Sequence, residues 1–376
     1  MELLSYRTLG TEASLSRRMP ERVLQFGDGN FLRGFVDDFI DQMNEKADFD
    51  SSVVIVPPAS TGKTGRINRQ DGLYQLYLRG RLNGQVVDQR RLIRCISRAL
   101  DVFTQWRELL DFVCSDELRF VISNTTEAGI VYDPACRFDD CPPASFPAKL
   151  TRLLWQRWYA GKPGLILLPC ELIADNGTVL RDTVLRHAAD WALEEDFLHW
   201  LREENRFCNT LVDRIVTGYP AAQAPRLNAE NGYEDALLDT AEPFGLWVIE
   251  GDEALSREFP AQKAGLPVKF VADHHPYKEQ KVRILNGGHT SMVLAAYLAG
   301  HNIVRECMED EAVRAYLEGA LFQEIIPTLS LPREDCEAFA RAVEERFANP
   351  YIDHRLLDIA LNRGAPDNVT AVLMQL

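Results

Sequence analysis

Residues 22–26 (RVLQF) form a short apolar run that stops at Gly27, and from residue 31 to 45 apolar side chains recur at helical spacing. A β-branched run at residues 52–56 (SVVIV) follows and is ended by Pro57 and Pro58. Strand, glycine turn, helix and strand within about 35 residues make up one βαβ unit, whose crossover is right-handed. No other feature narrows the choice of fold as much. The pattern continues with a hairpin, residues 73–79 and 85–93 around Asn83-Gly84, a strong two-residue turn signal. A helix at 102–114, a strand at 119–123 (RFVIS), a helix at 149–159 and a strand at 164–168 (GLILL) complete an open, mostly parallel sheet with helices on both faces.

Beyond residue 178 the pattern is mainly helical, apart from a loop at 217–232 and a strand at 244–249 (FGLWVI). From Pro276 onward helices are expected at 278–285, 289–299, 309–322, 333–347 and 351–361. The chain therefore reads as α/β, with a sheet domain over residues 18–272 and a helical domain over 273–362.

Charge narrows the ligands. With 41 Lys+Arg against 56 Asp+Glu, the net charge is −15, which argues against a nucleic-acid partner because phosphate neutralisation needs a basic face. An anionic ligand then needs a local cluster of cations or helix N-termini. No run approaches the ~18 apolar residues of a membrane span, and residues 1–22 lack a signal-peptide core, so the expectation is a cytoplasmic protein without membrane contact. Its eight cysteines are scattered without a CxxC pair, as expected of reduced thiols. Cys136 and Cys141 have no second pair to complete a zinc site, so no metal is expected.

Gly27-Asp28-Gly29-Asn30 lies where the first strand gives way to the first helix. Glycine there allows a tight turn and close backbone approach, and the helix start offers N–H groups to a pyrophosphate. The third glycine of GxGxxG is replaced by Leu32, so the motif reads either as an ordinary turn or as a cofactor loop, and its place in a βαβ unit favours the loop. Gly27, Gly29, Asn30 and Phe31 are the candidate contacts, with Arg33 one turn on as a cation near the phosphates. The second strand ends without a carboxylate, while Lys63 and Arg66 lie just beyond; this leaves NAD and NADP both open. Ser123-Asn124-Thr125-Thr126-Glu127 follows another strand at the carboxyl edge, and reads equally as a helix cap or a cofactor contact through Asn124, Thr125 and Glu127.

Pro276-Tyr-Lys278-Glu-Gln-Lys281-Val-Arg283-Ile-Leu-Asn286-Gly-Gly-His289 carries the chemistry. On an α-helix Asn286 lies ~140° and His289 ~80° from Lys281, so all three share one side. A lysine of lowered pKa can give or take a hydroxyl proton, while Asn and His donate hydrogen bonds to a developing alkoxide. The same segment also reads as a solvated lysine beside a structural histidine. Gly287-Gly288 inside a helix costs about 1–2 kcal/mol relative to Ala-Ala, which suggests a close approach by another group.

These segments, together with Phe207-Cys-Asn209-Thr-Leu-Val-Asp-Arg-Ile215 and Glu242-Pro-Phe-Gly-Leu-Trp-Val-Ile249, occur in the same order as in the long-chain mannitol dehydrogenase family, which the chain resembles from about residue 20 to residue 362. The resemblance implies a Rossmann-like cofactor domain and a helical catalytic domain. It implies NAD-dependent, zinc-independent hydride transfer, with Lys281 as general acid/base and Asn286 and His289 polarising the substrate oxygen. Asn209 and Arg346 are implied as substrate contacts. Within the family, the wording of the Lys281 segment and of Asn349-Pro-Tyr-Ile-Asp-His354 resembles the branch acting on sugar acids. The implied reaction interconverts a keto-uronate and an aldonate, D-tagaturonate and D-altronate first, with fructuronate or a mannitol-type polyol as alternatives. The polyol branch has an acid three residues before the lysine, where this chain has Lys278; a cation there fits a substrate carboxylate. Lys278, Arg283, Arg346 and His354 are the candidates for the local basic patch.

Residues 363–376 depart from the family, and Asp367-Asn-Val-Thr-Ala-Val-Leu373 resembles a final strand of 2C-type phosphatases without the rest of that fold. An atypical tail after a shortened helical domain is expected. A reading of another class is thus a catalytically inactive nucleotide-binding protein. Nothing in the sequence chooses between monomer and dimer.

Overall fold

The computed structural model describes residues 1–10, 19–57, 64–126 and 128–361. Glu127, Lys63 and the tail at 363–376 lie outside these residues. Among the described residues twelve strands form three sheets: β1 (Glu21–Phe26), β2 (Ser52–Val56), β3 (Tyr74–Leu82), β4 (Gln85–Ile93), β5 (Ile96–Ala99), β6 (Phe120–Ser123), β7 (Ile166–Pro169), β8 (Arg206–Phe207), β9 (Thr210–Asp213), β10 (Asp239–Ala241), β11 (Leu246–Glu250) and β12 (Val268–Val271). The largest has the order β5-β2-β1-β6-β7-β8, and every neighbouring pair in it is parallel. Counted within that sheet the order is 3-2-1-4-5-6, the doubly wound arrangement whose direction reverses between β1 and β6. Its central strands are near-continuous apolar runs because both faces are covered. Phe26, Val54, Val56, Val121 and Leu167 pack with Leu150, Leu153, Leu154, Leu180 and Phe197. Phe35, Phe39, Phe120, Trp247 and Phe259 join ring contacts elsewhere in the unit.

Helix Phe146–Tyr159 shows how local signals set an element. Ser145 accepts the Ala148 N–H at 3.3 Å, Pro147 occupies the first turn, and Leu150, Leu153 and Leu154 share the buried face. The hairpin turn has φ of 52° at Asn83 and 77° at Gly84, as a type I′ turn demands. The region after 178 is less helical than its sequence suggests. Residues 206–213 supply β8 and β9, and β9-β11-β12 form a small mixed sheet, β11 pairing antiparallel with β9 and parallel with β12. The loop expected at 217–232 contains helix Ala224–Asn231.

Two compact units result. The first holds the described residues of 1–77, 90–241 and 245–272; the second holds 78–89, 242–244 and the described residues from 273 on. The second unit thus includes the hairpin tip and a tripeptide that a linear reading assigns to the sheet domain. Its first helix runs unbroken through the glycine pair, as His275–Gln280, a π turn Lys281–Asn286 and Gly287–Leu298. Helices Val304–Glu309, Glu311–Gly319, Arg333–Phe347 and Leu356–Leu361 follow. Met292, Val293, Ala296, Leu317, Leu321, Val343 and Phe347 are buried there. Among the described residues no helix is long and apolar enough to cross a membrane.

Candidate functional site

In the first unit the candidate residues gather where the sheet reverses. Gly27 has φ +133°, and a Cβ on it would meet the Asn124 carbonyl oxygen at 2.8 Å, so the turn tolerates only glycine without strain. The Gly27 N–H donates to the Val56 carbonyl and the Asn124 N–H to the Phe26 carbonyl, both at 2.9 Å. The loops after β1 and β6 are therefore locked together at the carboxyl edge, where ligands bind in such sheets.

Gly29 is the cap residue of the helix over residues 30–46; it is extended, offers no side-chain cap, and a Cβ there would meet nothing within 4 Å. The space beside Gly29 is thus open at the start of that helix, where no side chain caps it and the positive end of its dipole lies, which fits a dinucleotide pyrophosphate. Asn30 is exposed and Phe31 half-buried at this mouth.

Arg33 is turned inward rather than toward the mouth. It is buried over the Tyr74 ring, donating to the Leu237 carbonyl at 2.5 Å and to Asn30 Oδ1 at 2.7 Å, with Asp239 at 3.7 Å. It orients Asn30 instead of offering a solvent-facing cation. Asn124 donates through Nδ2 to the Cys170 carbonyl at 3.0 Å. Residues 124–126 open no helix, so the cap reading of this motif fails. Thr125 is instead anchored to the buried Glu171, which sequence reasoning missed; the signal was a carboxylate just past a strand's carboxyl end. A cavity of about 450 Å³ opens beside Thr125.

Asn209 also belongs to the first unit. Its Oδ1 accepts the Thr178 N–H at 2.9 Å, capping helix Asn176–Asp190, and its Nδ2 donates to Glu250 at 2.8 Å.

In the second unit the π turn changes the geometry expected of Lys281, Asn286 and His289. A π turn closes i→i+5 hydrogen bonds and takes up one extra residue, so a spacing of five acts as a spacing of four does in an α-helix. Asn286 thereby comes over Lys281 instead of ~140° around the cylinder. Lys281, Asn286 and His289 are all half-buried. The His289 ring stacks on Phe347 at 4.1 Å and 24°, and meets the His354 ring edge-on at 5.2 Å. Phe347 is the platform that sequence reasoning missed, one residue beyond the arginine it selected. Burial lowers the pKa of His354, against the opposing charge of Asp358. The Gly287-Gly288 pair does not mark a tight approach: a Cβ on Gly288 would meet Leu317, Leu321 and Phe347 at 3.5–3.6 Å, ordinary contact.

The four expected cations divide. Arg346 is buried, paired with Glu242 at 2.9 Å and lying over the Phe244 ring. Arg283 pairs with Glu279 at 2.9 Å and donates to Thr328 Oγ1 at 2.9 Å. His354 adjoins His289. Lys278 lines a cavity of about 450 Å³ with Asp273, His275, Glu279 and Ser330. They do not form one uncompensated patch, because two of them are neutralised by acids that the sequence pattern did not single out.

Known proteins match in the same two parts. The mannitol dehydrogenase Rossmann domain matches residues 21–263, and the mannitol dehydrogenase C-terminal domain matches 273–365. Altronate oxidoreductase of Escherichia coli O7:K1 (strain IAI39 / ExPEC) is 50% identical over 376 residues, covering 98% of this chain and 77% of that protein. Among solved structures, a substrate-free D-sorbitol dehydrogenase has a TM-score of 0.79 at 26% identity, covering 91% of this chain and 72% of its own. Pseudomonas fluorescens mannitol 2-dehydrogenase, in ternary complex with NAD and D-mannitol, has a TM-score of 0.75 at 26% identity, covering 96% and 76%.

Proposed function

The chain belongs to the mannitol dehydrogenase family and is a dehydrogenase acting on CH–OH groups; from that premise we propose that it interconverts D-tagaturonate and D-altronate with NAD(H). The observation that carries the substrate is the 50% identity with altronate oxidoreductase across nearly the whole chain. Residues 18–272 serve as the cofactor domain and 273–362 as the substrate and catalytic domain. Gly27, Gly29, Asn30, Phe31, Asn124 and Thr125 hold the dinucleotide, with Glu127 completing the set and Arg33 acting through Asn30. The fit of an uncapped helix start to a pyrophosphate supports this assignment. A bound nicotinamide supplies hydride to a carbonyl carbon or accepts it from the carbinol.

Lys281 Nζ gives its proton to the oxygen as the carbonyl is reduced, and takes it back in oxidation. Asn286 and His289 donate hydrogen bonds to that oxygen as negative charge gathers on it. The stacking of His289 on Phe347 supports this role, because it fixes the ring plane before substrate arrives. Lys278 pairs with the substrate carboxylate, with Asn209 as a further contact. Arg283, Arg346 and His354 act from around it, Arg346 through its ion pair with Glu242. The free cysteines fit a cytoplasmic enzyme.

The decisive test is NADH and NADPH oxidation, read at 340 nm, against tagaturonate, fructuronate and fructose. Tagaturonate with NADH is expected to give the highest kcat/KM. Preference for fructuronate or fructose would move the substrate within the family, and cofactor binding without turnover on any of them would mark an inactive protein.

A further inference from the structure

Glu171 is a buried carboxylate with an unusual set of partners. It sits two residues past β7, is 2% exposed, and has no ion pair among the described residues. Its Oε1 accepts both the N–H and the hydroxyl of Thr125, each at 3.0 Å, and its Oε2 accepts the Ser123 hydroxyl at 3.0 Å. These donors come from the last residue of β6, Ser123, and from the loop that follows it. A buried carboxylate without a cation is unfavourable for stability. Its place is better explained by what it does to that loop.

The loop is held in a form it would not adopt alone. Thr126 has φ +82°, which is an outlier for a β-branched residue. A Cβ on Gly129 would collide with Thr125 Oγ1, so Gly129 is needed to admit the threonine. Both Thr125 and Gly129 line the cavity of about 450 Å³, together with Tyr132, Asp133, Ser145 and Phe146. An ionised carboxylate only accepts hydrogen bonds, so it draws the Thr125 hydroxyl hydrogen toward itself. The lone pairs of Thr125 Oγ1 are then what that hydroxyl has left to offer a ligand.

We propose that Glu171 is a positioning residue of the cofactor site: by taking the hydrogen of Thr125, it makes Thr125 Oγ1 a hydrogen-bond acceptor toward the cavity and so selects a donor group of the cofactor. This rests on the cofactor assignment above. The donor is a ribose hydroxyl or the carboxamide N–H₂ of the nicotinamide.

Fluorescence titration of the whole protein with NADH tests it. Glu171→Gln replaces half of the acceptor with a donor and is expected to weaken NADH binding about tenfold with an unchanged thermal midpoint. Thr125→Val should weaken it equally and Thr125→Ser should restore it. The Glu171→Gln/Thr125→Val double variant should bind no worse than either single one, because both remove one interaction. ADP-ribose separates the two donors: parallel weakening indicates the ribose, and undiminished binding indicates the carboxamide. Wild-type affinity in Glu171→Gln, or losses that multiply in the double variant, would overturn the proposal. If Glu171→Gln fails to fold, wild-type affinity in Thr125→Val overturns it alone. A wild-type protein that binds neither NADH nor NADPH removes the cofactor assignment itself, and this inference with it.

Discussion

The π turn Arg33–Asp37 buries every one of its five residues, whereas the π turn Lys281–Asn286 buries only Ile284 and Leu285. Both interrupt helices that are otherwise α-helical, and both lie within a few residues of candidate site groups. In the first, the wide turn packs Phe35 against Phe39 and Trp247 and buries Arg33 and Asp37. In the second, it leaves Lys281, Asn286 and the following His289 half-buried, within reach of a ligand. The same backbone deviation serves packing in one unit and presentation in the other. Exposure of the polar side chains, not the turn itself, distinguishes the turn proposed to be functional.

Four experiments can break or sharpen that contrast. The largest effect is expected from Lys281→Ala, which should lower kcat by about a thousandfold, within the range of a lost general acid/base. A loss of less than tenfold in steady-state turnover would detach the presenting turn from the chemistry.

Deleting one residue returns either turn to α geometry and separates packing from presentation. Loss of Val36 removes a fully buried side chain, worth about 1.5–3 kcal/mol. Loss of Arg283 removes a surface ion pair worth about 1 kcal/mol or less. Thermal denaturation should show a much larger drop for the Val36 deletion. Equal drops would mean that both turns are structural.

The third test uses pH. Burial raises the pKa of Asp37 from 3.8 to about 7, against the nearby charge of Arg33 and the hydrogen bond from Gln25. A carboxyl that holds its proton more tightly when folded adds stability that is complete below pH 3.8 and is lost as pH rises through about 7. Asp37→Asn should therefore gain on the wild type between pH 5 and pH 8, measured as the difference in melting temperature. Asp41 and Asp239, also raised to about 7, would keep part of the slope in the variant. A difference independent of pH would show that Asp37 stays ionised within its turn.

The smallest effect is expected at Gly288→Ala. The added methyl meets neighbours at ordinary distance, so it should stabilise the helix by about 0.5–1 kcal/mol. A drop in melting temperature would restore the idea of a tight approach at the glycine pair.

Much of this is legible in the sequence. The runs at residues 52–56 and 119–123 are apolar throughout because their strands lie inside the sheet, and the Asn83-Gly84 turn announced its hairpin. Strand β8, with two residues, is too short to leave a periodic trace, and β9 sits in a stretch without clean alternation. The π turns left none either, because an extra residue in a helix is accommodated by packing that one sequence window does not contain. For the site, residue types were readable and partnerships were not. Glu242 lies 104 residues from Arg346, and Glu171 lies 46 from Thr125. A charge reads as available from the sequence until its distant counter-charge is known.

The hairpin tip and the tripeptide 242–244 carry a last implication, for inheritance and engineering. Within the second unit, Asn349 donates to the Arg79 carbonyl at 3.2 Å, Gly84 N–H donates to Glu345 at 2.6 Å, and Arg346 pairs with Glu242. A gene fragment starting at residue 273 would lack all three partners and leave the Arg346 guanidinium buried without its acid, a cost of about 3–5 kcal/mol. The second unit is therefore not a cassette that can be excised, swapped or expressed alone along the linear boundary. Recombination between relatives would have to carry three separate stretches of the chain together.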